Sequence, residues 1–181
     1  MVSDDGDSSE HTSLGATRVD LATLRATPDN DVERVIADCV FYRIYDHTRA
    51  AKVLASLPAG ARALYLTWVA DGEVRNGGFN RYYFNTDGEF ASETVEAFEF
   101  FRAARHAAVM REANAVRAEE EPEMQKFKQQ FVASGDVEAY SESCEVTKLD
   151  PITECYVGLH EDLAQLRIAC IRKSPELFAL P

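Results

Sequence analysis

An all-α fold, a compact multi-helix single domain behind a flexible N-terminal leader, is what this sequence predicts, on three observations. From about residue 30 onward, apolar residues recur three and four positions apart. Strand-like alternation is scarce. Pro58, Pro122 and Pro151 each stand where a helix would open, because a helix's first turn does not need the N–H that proline lacks. With 181 residues, 46% of them hydrophobic, the chain is long enough to bury one core.

Residues 1–28 read as the leader: the first 20 or so are rich in Ser, Asp, Gly and Thr with little apolar periodicity. Residues 29–181 read as the helical domain. Asn30 and Glu33 have capping-box spacing, and Val32, Val35, Ile36, Cys39 and Val40 draw one stripe on a helix reaching about Asp46. A second helix opens at Leu57-Pro58, buries Ala61, Leu64, Tyr65 and Trp68, and ends near Asp71-Gly72. Gly77-Gly78 breaks or sharply bends the chain, and Phe79, Tyr82 and Tyr83 lie on one side of a short new helix up to a turn at Thr86-Asp87-Gly88.

Residues 91–104 form a helix with Ala91, Val95, Phe98 and Phe101 inward, and Ala107 to Ala118 forms another. Pro122 opens one more, with Met124, Phe127 and Phe131 on a stripe; residues 136–147 fit no pattern. Pro151 opens a last helical region in which Tyr156, Leu159, Leu163, Leu166 and Cys170 repeat, and Pro175 stops it.

Charge is the outlier of the composition: 31 acids against 19 Lys and Arg leave −12. The excess concentrates in residues 85–165, which hold 18 acids and seven bases. Such a chain is ill suited to bind nucleic acid or an anionic membrane, both of which demand cationic surface. Early acids and the absence of an apolar segment behind Met1 argue against a secretory signal, so a cytoplasmic location with reduced cysteines is the expectation.

The stretch Glu73 to Thr86 reads E-V-R-N-G-G-F-N-R-Y-Y-F-N-T. It resembles the signature, roughly E-V-x-N-G-G-F-x-Q-Y-F-x-N-S, of a bacterial family named after the C-terminal domain of a DNA-mimic protein. Glu73, Val74, Asn76, Gly77, Gly78, Phe79, Tyr82 and Asn85 match; Arg81 stands where the family has Gln, and Thr86 replaces Ser. The resemblance covers about residues 30 to 175 and implies an all-helical fold. It also implies an interaction protein whose carboxylates occupy the DNA-binding surface of a basic partner such as a transcription factor. A shared fold does not by itself carry a shared partner.

Two functional readings stay open. In the first, the site is an acidic surface: Asp87, Glu89, Glu93 and Glu96 beyond the signature, and Glu119, Glu120, Glu121 and Glu123 around Pro122. A helix spaces one carboxylate per turn about 5.4 Å apart, and a two-fold homodimer would lengthen the array. Against this stands the ordinary role of surface charge in solubility. In the second reading, a small-ligand binder or enzyme uses the Asn76-Gly77-Gly78 corner and its neighbouring tyrosines, as an anion-binding nest would. The competing view makes the corner structural, with glycine supplying positive φ and the aromatics filling core.

No cofactor or metal is expected. Cys144, Cys155, His160 and Cys170 lack the short spacing of a zinc site, and Cys155 and Cys170 fall on the apolar side of the last helix. His47, His106 and His160 are isolated in sequence, no catalytic constellation emerges, and Glu161-Asp162 reads as a solvated face.

Overall fold

The computed structural model describes residues 18–44, 50–134 and 147–181. Their secondary structure is helical: α1 (Leu21–Ala26), α2 (Asp29–Arg43), α3 (Ala50–Ser56), α4 (Ala59–Thr86), α5 (Ala91–Phe100), α6 (Ala104–Ser134), α7 (Asp150–Val157), α8 (Leu163–Lys173), and a closing 3₁₀ turn, Pro175–Leu177. The all-α expectation holds.

Residues 18–28, assigned above to the leader, carry structure. Asp20 caps α1 by accepting the Thr23 N–H at 2.8 Å. Val19 is fully buried and exchanges both backbone hydrogen bonds with Leu180, at 2.9 and 2.7 Å, so the two ends of the domain are tied together. Arg172 of α8 reinforces the tie, donating to Asp29 at 2.7 Å, to the Thr27 carbonyl at 2.6 Å and to the Leu24 carbonyl.

The core has two parts that share α4. Val32, Ile36 and Val40 of α2 pack with Leu64, Ile171 and Phe178 in one. In the other, Val74, Phe79, Tyr82 and Tyr83 of α4 pack with Phe98, Met110 and Tyr156. The 28-residue α4 thus contributes its first turns to one cluster and its last turns to the other.

Several boundaries differ from the pattern reading, each for a tertiary reason. Helix α2 starts after Pro28, without a side-chain cap, and Glu33 turns inward to Arg167 instead of back to the helix start. Helix α4 does not end at Asp71-Gly72: Asp71 accepts from Arg75 and from the Tyr156 hydroxyl, and Gly72 remains a helical residue with open space around it. Helix α5 stops at Phe100, where Arg102 takes a left-handed φ of 60° and the Ala103 N–H reaches back to the Phe98 carbonyl at 2.9 Å.

Residues 104–134 form one helix that runs through Pro122. The ring deprives the Ala118 carbonyl of its usual donor, so proline interrupts a hydrogen bond here without ending the helix. The last helical region is two helices. Gly158 ends α7, and Asp162 starts α8 by accepting the Gln165 N–H at 3.0 Å. The Met124, Phe127 and Phe131 stripe and most of 136–147 fall on side chains or residues outside those described.

Candidate functional site

The signature forms the bend of α4. Gly77 and Gly78 leave helical geometry, Gly78 at φ 76° and ψ −179°. The two glycines serve different ends. Gly78 occupies a backbone region that residues with a Cβ avoid, and an added Cβ would also meet Thr153 Oγ1 at 3.1 Å. Gly77 is extended, but a Cβ there would lie 2.6 Å from Arg81 Cδ, so its bareness lets the Arg81 side chain cross the bend.

That side chain has a specific destination. Glu73, before the bend, accepts from Arg81 Nε and from Asn85 Nδ2, both after it, each at 2.8 Å. The Phe79 N–H, released from the helical ladder by the bend, donates to Thr153 Oγ1 at 3.1 Å. Asn80 Nδ2 donates to Thr147 Oγ1 at 2.8 Å and to Asp150 at 3.3 Å. Helix α7 and the residues leading into it therefore brace the corner.

Behind the corner the aromatics fill space. Phe79, Tyr82 and Tyr83 are all buried, and Phe79 meets Tyr156 edge-on at 5.5 Å. Burying such a ring stabilises by about 1.5–3 kcal/mol. The tyrosine hydroxyls are committed: Tyr82 to Thr94 at 3.1 Å, and Tyr83 to Asn114 at 2.6 Å. Burial pushes the Tyr82 phenol up to about 12, and that of Tyr83 also well above its ordinary range. These hydroxyls hold α4 to α5 and α6.

A groove of about 730 Å³ opens beside α4, with Tyr82 and Thr94 in its lining. Glu73, Asn76 and Asn85 of the signature line it, together with Tyr65 and Trp68 one to two turns earlier. Phe41 from α2 and Phe90 before α5 complete an aromatic wall, with Phe41 and Tyr65 edge-to-face at 5.0 Å. Asp87 and Glu89 also line it, and no Lys or Arg lines it among the described residues.

The acids single out two regions. Asp87, Glu89, Glu93 and Glu96 are all exposed, Asp87 at a left-handed φ of 55° in the turn closing α4. Glu89, Glu93 and Glu96 make no ion pair among the described residues. Helix α6 folds back along α5: Asn114 donates to the Ala91 carbonyl at 2.9 Å, and Arg111 pairs with Glu99. Around Pro122, Glu119 is exposed, while Glu120 and Glu121 are half-buried. Glu121 pairs with Arg117 at 2.7 Å, and Glu119 lies 3.7 Å from Lys148. The Glu123 side chain lies outside the described residues. The second group is thus partly neutralised, whereas Glu89, Glu93 and Glu96 are not, among the described residues.

Two charged arrangements escaped the sequence reading. Glu33 of α2 meets Arg167 of α8 at 2.9 Å, with both side chains nearly enclosed, and Asp71 of α4 lies 3.7 Å from the same guanidinium. Burial pushes the Glu33 carboxyl up; Arg167 opposes this, and Asp71 and Asp162 add to it. Glu161 is not a solvated acid. It accepts the backbone N–H groups of Arg105 and His106, at 3.2 and 3.1 Å, and pairs with His106 Nδ1 at 2.7 Å. It therefore caps α6 from across the fold, and His106 is buried beside Phe98 and Tyr156. Burial pushes the Glu161 carboxyl up, but its hydrogen bonds to His106 and Arg105 outweigh that and hold it below the ordinary value. Only long-range packing creates either pairing, so no local spacing announces them.

Among the described residues, no group of His, Cys, Asp and Glu is arranged to hold a metal ion. Cys155 is exposed rather than on an apolar face, because α7 and α8 are separate helices with separate inward sides. Cys39 is buried, Cys170 half-buried, and Cys144 lies outside the described residues. No helix among the described residues is long and apolar enough to cross a membrane.

No curated protein and no solved structure matches the chain. A family model does: that of the DMP19-like proteins, a DNA-mimic family, matches residues 55–174, from the end of α3 past the end of α8. The match takes in the bent α4, its aromatic filling and the α5–α6 hairpin, and on it the chain belongs to the DMP19-like protein family.

Proposed function

We propose that this protein is a DNA mimic, an acidic interaction protein that occupies the DNA-binding surface of a basic partner such as a transcription factor. The observation that carries this reading is the row Glu89, Glu93 and Glu96, exposed and without an ion pair among the described residues. Glu93 and Glu96 are about 4.5 Å apart in axial rise, against one phosphate charge per about 1.7 Å of B-DNA. The array is sparser than DNA yet of the same order. Carboxylates already held by internal cations have less free field to offer, which favours Glu89, Glu93 and Glu96 over Glu119 and Glu121 as the proposed contact residues.

The partner's Arg and Lys would pair with these groups, and opposite charge would steer the encounter. A two-fold dimer would place two such rows on one particle and extend the charged length. The test is competition. A basic DNA-binding protein retained by the immobilised chain at low salt should be released by its own duplex DNA, and also by raising the salt, because exposed charges are screened within about 10 Å at 0.1 M. A partner retained equally in the presence of excess duplex is not held at its DNA-binding surface, and the reading then falls.

The small-ligand reading has less support. The corner itself is packed against Thr153 and Arg81, and the tyrosine hydroxyls are bonded to Thr94 and Asn114.

A further inference from the structure

The groove beside the corner has walls that DNA lacks. Its aromatic side chains Phe41, Tyr65, Trp68, Tyr82 and Phe90 come from α2, α4 and the turn before α5, and Phe41 is 43% exposed. Its charged lining consists of Glu73, Asp87 and Glu89, with no cation among the described lining residues; Arg167, outside that lining, sits 5.7 Å over the Trp68 ring. Glu73 is already engaged by Arg81 and Asn85, whereas Glu89 makes no ion pair among the described residues. A concave aromatic surface that also carries a carboxylate suits one ligand chemistry above others: a flat cation that stacks on rings and pairs with an acid. Guanidinium meets that description better than ammonium, being planar, weakly hydrated and able to bond a carboxylate through two N–H groups.

We propose that this groove is a docking site for an arginine side chain of the basic partner, stacked on the aromatic wall and paired with Glu89. The inference rests on the acidic face being a protein-binding surface, and it adds to mimicry a contact that duplex DNA cannot offer. Glu89 belongs both to the groove and to the exposed row that continues through Glu93 and Glu96, so an arginine seated in the groove leaves neighbouring cations of the same segment beside that row. Charge complementarity along this continuous edge favours a basic protein segment as the occupant over a second copy of this acidic chain.

Trp68 is the only tryptophan in the chain, so its emission reports occupancy of the groove directly. The probe is a nona-arginine peptide, compared with nona-lysine of equal charge and with a citrulline peptide of equal shape. The arginine peptide should change Trp68 emission saturably, and bind about five- to tenfold more tightly than the lysine peptide. Citrulline should produce no change. Phe41→Ala and Glu89→Gln should each weaken the arginine response several-fold, with helicity unchanged by circular dichroism. If Phe41→Ala unfolds, the exposed Glu89→Gln variant decides the matter alone.

Equal binding of arginine and lysine peptides with Trp68 silent overturns the groove proposal and leaves DNA mimicry standing. The same holds if sedimentation shows a second copy covering the groove and Phe41→Ala releases it. Conversely, a full arginine response in a chain whose basic partner ignores competing duplex retains the groove and removes the mimic reading.

Discussion

Glu73 and Asn85 lie twelve residues apart on opposite sides of a double-glycine bend, yet the Asn85 amide donates to the Glu73 carboxylate at 2.8 Å. Arg81 reaches the same oxygen, so three signature positions form one strap across the bend. Its parts are half exposed, which limits its worth. Glu73→Ala should cost about 1 kcal/mol, a fall in Tm of about 2–4 °C. A double-mutant cycle with Asn85→Ala should show coupling; strict additivity in thermal melts would mean that the strap carries no energy.

Gly78 supplies a conformation rather than a contact. Gly78→Val places a β-branched residue at φ 76° against Thr153, and should destabilise the domain by about 1–3 kcal/mol. Gly72→Ala, in open space on the same helix, should be neutral or stabilising. Urea unfolding of the pair distinguishes a backbone requirement from a general cost of altering glycines in α4.

Removing Arg167 should be among the harsher single changes. Arg167→Leu leaves Glu33 buried without its cation and should cost about 3–5 kcal/mol at neutral pH. Glu33 already has a raised carboxyl pKa, and losing Arg167 raises it further. An acid whose folded pKa lies above its unfolded value of about 4.5 favours folding below that value and loses this as pH rises through the folded pKa. The variant should therefore come nearest to the parent below about pH 4.5 and fall behind as pH rises. A deficit independent of pH would assign the loss to packing on Trp68 instead.

Glu161 should behave with the opposite sign. Its folded pKa is lowered, so its contribution is present above the unfolded value of about 4.5 and lost as pH falls through the folded pKa. Glu161→Gln should be less stable than the parent at pH 7, and the gap should close in acid below about pH 4.5. Because Glu161 caps α6, amide exchange at Arg105 and His106 should quicken first. A gap that widens in acid would contradict this assignment.

The acidic row can be tested apart from stability. Glu89, Glu93 and Glu96 are exposed, and their reversal to Lys should leave the melting temperature within a few degrees. Association with the basic partner should slow markedly and lose much of its salt dependence. Unchanged association kinetics in the folded triple variant would reduce this row to a solubilising face.

The sequence by itself determined the helical class, the break at Gly77-Gly78, the burial of Phe79, Tyr82 and Tyr83, and where the negative charge accumulates. These are local properties: period, backbone freedom and composition. The family was legible as well, since its signature is contiguous. Tertiary structure decided the rest. Asp71 continues a helix because Tyr156 and Arg75 engage it. Glu33 abandons a capping box for Arg167, and Glu161 becomes a cap for α6 rather than a surface charge. Only folding shows that Arg117 offsets Glu121 while Glu89 and Glu93 make no ion pair among the described residues, and that Phe41, Tyr65, Trp68 and Phe90 line one groove. A carboxylate's partner is chosen by distance in space, and burial makes that choice binding, because an enclosed charge left alone costs more than any local preference for cap or turn.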